Sequence, residues 1–191
     1  YGVAPRWSDK VRRGTMRAYV SQVIEPEEYE NLTNEELFAL IEKGLYVNEA
    51  VADATFRSNA RAEYLERAVY VCPFCGLSTF ESHNDRITCK KCGRVIRHNA
   101  DKTLEGVGFD FPHRFVGDWY DAQSDYINQL ELTALTETPV WEETARLSLV
   151  TPYKNKRLLK RNAKVCLYGD RITVDGRVFH FDDTSAVVVL G

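Results

Sequence analysis

Two matched cysteine pairs constrain this chain more than anything else in it: Cys72-Pro73-Phe74-Cys75-Gly76 and Cys89-Lys90-Lys91-Cys92-Gly93. Each is Cys-x-x-Cys followed by glycine, and thirteen residues separate them. This is the spacing of a four-thiolate metal site built on two hairpin knuckles. Zinc is borderline soft and takes sulfur in closed structural sites, so Cys72, Cys75, Cys89 and Cys92 are the expected ligands of one structural zinc ion. In each knuckle the glycine frees the backbone for a tight turn and lets amides point at sulfur. Four sulfurs leave no open position for water or substrate, which argues against catalytic zinc. Iron held as in rubredoxin is the rival metal, because Cys-Pro-x-Cys-Gly occurs there too. A redox dithiol needs one pair, not two.

A ribbon of this size buries too little apolar surface to fold alone. Metal binding on the order of 10 kcal/mol matches the stability of a whole domain, so the metal is expected to act as the ribbon's core. The neighbouring cations Lys90, Lys91 and Arg94 are read as offsetting the anionic cluster, and His83 and His98 as turn or strand residues rather than ligands. Cys166, in the apolar run Val165-Cys166-Leu167, reads as a small buried hydrophobe. Four paired cysteines and one lone one fit a reducing compartment, so the expected location is cytoplasmic, peripheral to a membrane at most.

The 191 residues give room for one ordinary domain or two or three small ones. Hydrophobic content of 44% and charged content of 28% are those of a soluble globular protein. No apolar run is long enough to span a bilayer, and the opening residues do not read as a signal peptide. A net charge of −3 counts against a generic nucleic-acid binder. The start at Tyr1-Gly2 and the apolar close, Ser185 to Gly191, read as a piece cut from a longer protein.

Local patterns set the expected elements. Thr15 to Ile24, with Tyr19, Val20 and Val23, reads as a strand ended by Glu25-Pro26. Thr33 and Glu36 form a capping box ahead of Leu37, Leu40 and Ile41, so a helix is expected over about 33–43 with Gly44 as its C-cap. A second helix is expected over about 51–67. Short strands are expected at Val69–Val71, Leu77–Ser82, Arg86–Thr88 and Val95–His98, with a turn at Asn84-Asp85. An aromatic loop follows, then a helix in which Phe115, Trp119, Gln123, Tyr126, Ile127 and Leu130 step at helical spacing. Thr133 to Pro139 reads as a linker. Beyond it lie β-rich runs at Arg146–Val150, Val165–Tyr168, Arg171–Val174, Arg177–Phe181 and Ala186–Leu190, with a hairpin turn at Asp175-Gly176.

From residue 1 to about 132 several segments carry a family resemblance. They are Tyr1-Gly2, Pro5-Arg6-Trp7-Ser8, Arg12-Arg13-Gly14, Arg17-Ala18-Tyr19-Val20, Val23-Ile24-Glu25-Pro26-Glu27-Glu28-Tyr29 and Glu35-Glu36-Leu37-Phe38. The cysteine ribbon and Gly106-Val107-Gly108-Phe109-Asp110-Phe111-Pro112 extend it. With these the chain resembles the C-terminal portion of bacterial 1-acyl-glycerol-3-phosphate acyltransferase-like proteins of the clostridial type. The resemblance implies an α+β chain. Its parts are the end of an α/β acyltransferase-like domain with helices (1–67), a four-cysteine zinc ribbon (68–100), an aromatic loop and helix (101–135) and a small, incomplete antiparallel β module (136–191). It implies a role in phospholipid synthesis that is structural or docking, with the upstream acyltransferase domain as partner and no catalysis in isolation. The family's catalytic His-x-x-x-x-Asp motif is expected upstream. His113 and Asp118 match its bare spacing but lie after the ribbon at a helix start, so Asp118 is read as a first-turn carboxylate and no catalytic residue is assigned.

Other basic residues have two readings each. Lys156, Arg157, Lys160 and Arg161, with Leu158 and Leu159 between them, suit the headgroups of an anionic membrane surface; the plainer reading is a solvated loop between strands. Arg6, Arg12, Arg13 and Arg17 suit substrate phosphate or the glutamates at 25–36. Phe109, Phe111, Phe115, Trp119 and Tyr120 are expected to form a seam between ribbon and helix. The competing function is a stand-alone zinc-ribbon module that binds protein or nucleic acid, the latter disfavoured by charge and by the lack of a basic-aromatic stripe.

Overall fold

The computed structural model describes residues 4–51, 53–151, 153 and 155–183. It combines helices with antiparallel sheets and divides into two compact units, Tyr1–Asn128 and Gln129–Gly191. Among the described residues no helix is long and apolar enough to cross a membrane.

The first unit is built around the cysteine ribbon. Strands β1 (Val71–Cys72) and β2 (Gly76–Leu77) form a two-stranded hairpin around the first knuckle. Strands β3 (Phe80–His83), β4 (Arg86–Cys89), β5 (Val95–His98) and β6 (Leu104–Gly106) form a four-stranded antiparallel meander. Asn84, with φ of 56°, makes the β3–β4 turn, and the second knuckle joins β4 to β5. Alternation puts Ile87 and Cys89 of β4 on one buried face. With Leu65, Val69, Cys72, Phe80, Ile96, Leu104 and Trp119 they form a single apolar core. The ribbon therefore has a packed core beside its cysteines, and two of the four sulfurs belong to it.

The N-terminal part differs from the sequence expectation in two places. No strand forms over 15–24, because no described segment offers its backbone a partner, and Tyr19 and Val20 are 72% and 79% exposed. No helix forms over 51–67 either; the described residues there are loop, ending in one 3-10 turn at Leu65–Arg67. Tertiary pairing overrides the helical pattern. The amides of Phe56, Arg57 and Ala62 go to the carbonyls of Ala100, Arg13 and Asn84, and Tyr64 takes φ of 65°. Helices α1 (Pro26–Tyr29) and α2 (Asn34–Leu45) do form. In α2 the Thr33 hydroxyl accepts the Glu36 amide at 3.2 Å while the Glu36 carboxylate accepts the Thr33 amide at 2.8 Å. Gly44 lies inside α2, and the chain leaves it at Tyr46.

Arg61 and His98 pin this loop to the sheet. The Arg61 guanidinium donates to the carbonyls of His98 (2.8 Å) and Ser58 (2.6 Å) and pairs with Asp85 at 3.2 Å. His98 Nδ1 donates to the Arg61 carbonyl at 3.0 Å. Buried Arg12 donates to that same carbonyl and lies over the Trp7 ring; burial and neighbouring Arg61 lower its pKa to about 10. Burial, then the Arg12 charge, lowers the His98 pKa to about 4 from an ordinary 6.5. Between those values the unfolded chain holds a proton that the folded chain does not. Stability is thus expected to fall by about 3 kcal/mol as pH drops from about 6.5 to about 4 through this residue alone. Urea denaturation of wild type and His98→Gln at stepped pH and equal metal load isolates the effect. The variant should be less stable at neutral pH and flatter below it; parallel profiles would mean that His98 does not titrate with unfolding.

Helix α3 (Val116–Asn128) closes the first unit. The second unit is a four-stranded antiparallel meander in the order β10-β9-β8-β7. Its strands are β7 (Trp141–Leu149), β8 (Arg157–Leu167), β9 (Arg171–Val174) and β10 (Arg177–His180). The solvated loop expected at Lys156, Arg157, Lys160 and Arg161 is corrected here: from Arg157 onward the chain is strand β8, paired with β7. Asp175 and Gly176 take φ of 53° and 84°, as a two-residue hairpin requires. Cys166 is buried, as is Ala163. The expected linker contains a 3-10 turn at Leu132–Leu135, and the run Ala186–Leu190 lies outside the described residues.

Candidate metal centre

The two knuckles place their sulfurs face to face. The Sγ atoms of Cys72, Cys75, Cys89 and Cys92 all lie within 4.8 Å of one another. Cys72 faces Cys92 at 3.8 Å and Cys75 faces Cys89 at 3.6 Å. A tetrahedron with Zn–S arms of about 2.3 Å has edges of about 3.8 Å, so the cluster fits such an ion. All four cysteines are free, and these separations are far beyond a disulfide bond.

Each knuckle is shaped by local backbone bonds. Cys75 N–H donates to the Cys72 carbonyl at 3.3 Å, and Gly93 N–H to the Cys89 carbonyl at 2.8 Å. Gly76 and Gly93 take φ of 76° and 72°, a region that side chains resist. At Gly76 a second constraint applies, since a Cβ there meets the Tyr126 hydroxyl at 2.6 Å, whereas nothing lies near Gly93.

The metal-free thiols are not equivalent. Burial pushes Cys72 up, and burial plus the three neighbouring thiols push Cys75 up to about 12. Burial also opposes ionisation of Cys89, but the Ser78 hydroxyl and the amides of Cys92 and Lys91 outweigh it and lower its pKa. At Cys92, hydrogen bonds from the Arg94 backbone and side chain and from the neighbouring thiols overcome burial and bring it to about 6. The Ser78 hydroxyl sits 3.0 Å from Cys89 Sγ, an outer contact that the cysteine spacing does not reveal. Lys91 donates to the Cys75 carbonyl at 2.9 Å, tying the second knuckle to the first. Lys90 lies 3.9 Å from Glu81, and Arg94 lies over the Phe74 ring. Neither His83 nor His98 joins the cluster: His83 is near Glu63 at 3.8 Å, and His98 sits in the loop anchor.

Helix α3 buttresses the first knuckle. Trp119 Nε1 donates to the Val71 carbonyl at 2.7 Å, beside Cys72 of the cluster. Gln123 Oε1 accepts the amides of Tyr70 (2.5 Å) and Val71 (3.0 Å), and its Nε2 donates to the Ala68 carbonyl at 3.1 Å. In the sequence Gln123 is legible only as a polar residue on an apolar helical face. Of the expected seam, Phe111 and Trp119 meet edge to face at 5.1 Å and Phe109 meets Phe74 at 5.4 Å, while Tyr120 is exposed. The Asp118 carboxylate accepts the Phe115 amide at 2.9 Å, which makes it a first-turn cap. His113 meets Phe111 edge to face at 5.5 Å, and burial lowers its pKa against the opposing pull of Asp118.

The basic residues of the second unit separate into different roles. Lys160 is held by Asp175 at 2.5 and 2.7 Å. Lys156 and Arg161 line an open groove of about 670 Å³ with Arg146, Leu147, Ser148, Val150 and Leu158. Arg157 opens β8 opposite Leu149. Comparison with protein-family models, with curated proteins and with solved structures returned no match.

Proposed function

We infer that this chain binds one zinc ion through Cys72, Cys75, Cys89 and Cys92, and that the ion is structural. The convergence of four sulfurs into one closed, tetrahedron-sized cluster carries the reading. The donor set suits zinc because all four are thiolates, two are buried in the core and the shell has no vacancy for a reacting molecule. Elemental analysis should find about one zinc per chain, with no visible iron–thiolate absorption. Iron in its place would overturn the assignment.

The wider reading is that the region serves a lysophosphatidate acyltransferase-like protein as a structural or docking extension. It rests on the sequence resemblance, and exposed apolar surface in the N-terminal part supports it. Met16, Tyr19, Val20, Val23, Phe38 and Leu45 stand open to solvent. Exposed apolar side chains are what a covering domain would bury. The test is the sequence upstream of residue 1. An Asn-His-x-x-x-x-Asp pattern followed by a basic phosphate-binding motif is expected, and its absence would sink this wider reading while leaving the metal assignment intact.

A further inference from the structure

We propose that the projecting end of the β7–β8 hairpin is a docking surface for an anionic lipid bilayer. The inference is independent of the metal and rests on three observations within the second unit. The first is charge. Residues 144–164 contain seven Lys or Arg and no Asp or Glu. Lys160 and Lys164 are neutralised by Asp175 and Glu142. Arg146, Lys156, Arg157 and Arg161 have no carboxylate partner among the described residues and are all exposed.

The second observation is apolar surface in the same place. Leu149, Val150, Tyr153, Leu158 and Leu159 are exposed at this end, Tyr153 fully. The groove lined by Arg146, Lys156 and Arg161 has Leu147, Val150 and Leu158 as its apolar wall. Apolar side chains at a tip with cations around them match the boundary between headgroups and acyl chains.

The third is architecture. β9 pairs only with Val165, Cys166 and Leu167 of β8, so from Arg157 to Ala163 the strand has β7 alone as its paired neighbour. Register shifts between Ala145 and Leu147 and between Leu147 and Ser148 interrupt the regular pairing of this two-stranded arm. A two-stranded arm with exposed faces is marginal in water and gains from a surface that takes its side chains. Nucleic acid is the weaker fit, because a single-strand binder needs a row of stacking aromatics and Tyr153 is the one aromatic exposed at this end among the described residues.

The test is co-sedimentation of the full chain with vesicles of phosphatidylcholine alone and of phosphatidylcholine mixed with phosphatidylglycerol. Binding is expected to the mixed vesicles only and to weaken with salt. Each cation accounts for about fivefold in partitioning, so Lys156→Gln with Arg161→Gln should lower it about thirtyfold. Val150→Ser with Tyr153→Ser should lower it at every salt concentration. The pair Lys160→Gln with Asp175→Asn removes one ion pair and should leave it unchanged. Circular dichroism checks that each variant is folded. Equal binding to both vesicle types, or insensitivity to Lys156 and Arg161, overturns the proposal. So does displacement by soluble glycerol phosphate, which would show a single-phosphate pocket. A gel shift with RNA that is lost in the same variants, without vesicle binding, would assign the arm to nucleic acid instead.

Discussion

Stripping the metal with a strong chelator is expected to collapse the first unit while leaving the second folded. Cys72 and Cys89 are themselves members of the apolar core, so on the proposed zinc reading ion, knuckles and core form one cooperative structure. Without the ion, Cys72 and Cys75 sit where burial holds them protonated, and four uncoordinated sulfurs replace four metal bonds. The loss is on the order of 10 kcal/mol, as large as the stability of an ordinary domain. Trp119 reports on it, because its buried ring packs against Phe80 and Phe111. Its emission should shift red on chelation and return when zinc is restored. The sheet of the second unit holds none of the four ligands and should keep its own thermal transition. If the Trp119 signal survives complete removal of the metal, the apolar core is sufficient by itself and the ion is an accessory.

Replacing Trp119 with alanine should be the most damaging single change outside the cysteines. The ring is almost wholly buried, and its loss leaves a cavity at the centre of the core. Large aromatic-to-alanine substitutions in such positions cost about 3–5 kcal/mol. The change also leaves the Val71 carbonyl without its donor, one residue from Cys72. A loss of about 4 kcal/mol raises the population of opened ribbon about a thousandfold, so zinc should pass to a competing chelator far faster. Trp119→Phe keeps most of the packing but not the hydrogen bond, and should fall between the two. Urea denaturation and the rate of zinc transfer check both effects. Unchanged transfer from the alanine variant would show that α3 does not support the metal site.

Features with local causes were legible in the sequence. Cysteine spacing identified the cluster because a Cys-x-x-Cys-Gly turn brings its own two sulfurs together. Thr33 and Glu36 marked a helix start because both partners of the capping box lie within one turn. Asp175-Gly176 marked a hairpin because the turn needs two positive φ values. The misreadings share a different origin. Residues 51–67 have helical spacing, yet Ala100, Arg13 and Asn84 take their amides, and nothing local signals those partners. Thr15 to Ile24 has strand composition, but a strand exists only when another backbone pairs with it. Arg157 to Lys164 was obscured in the opposite way. Its cations suggest a loop, while the exposure of that arm removes the apolar alternation by which a strand is read. At the candidate site, the ligands were visible and their supports were not. Ser78 and Gln123 act across the fold, at separations that a spacing rule does not register.

Gln123 also guards an edge. The outer rim of a small sheet is normally open to any passing chain, because its amides and carbonyls seek partners. Here one side-chain carboxamide imitates a neighbouring peptide group, taking the amides of Tyr70 and Val71 and giving one N–H to the Ala68 carbonyl. The first knuckle is thereby stoppered from within its own chain. A ribbon trimmed at residue 100 would keep all four sulfurs but lose the stopper together with β6 and Trp119, leaving the amides of Tyr70 and Val71 open to another chain.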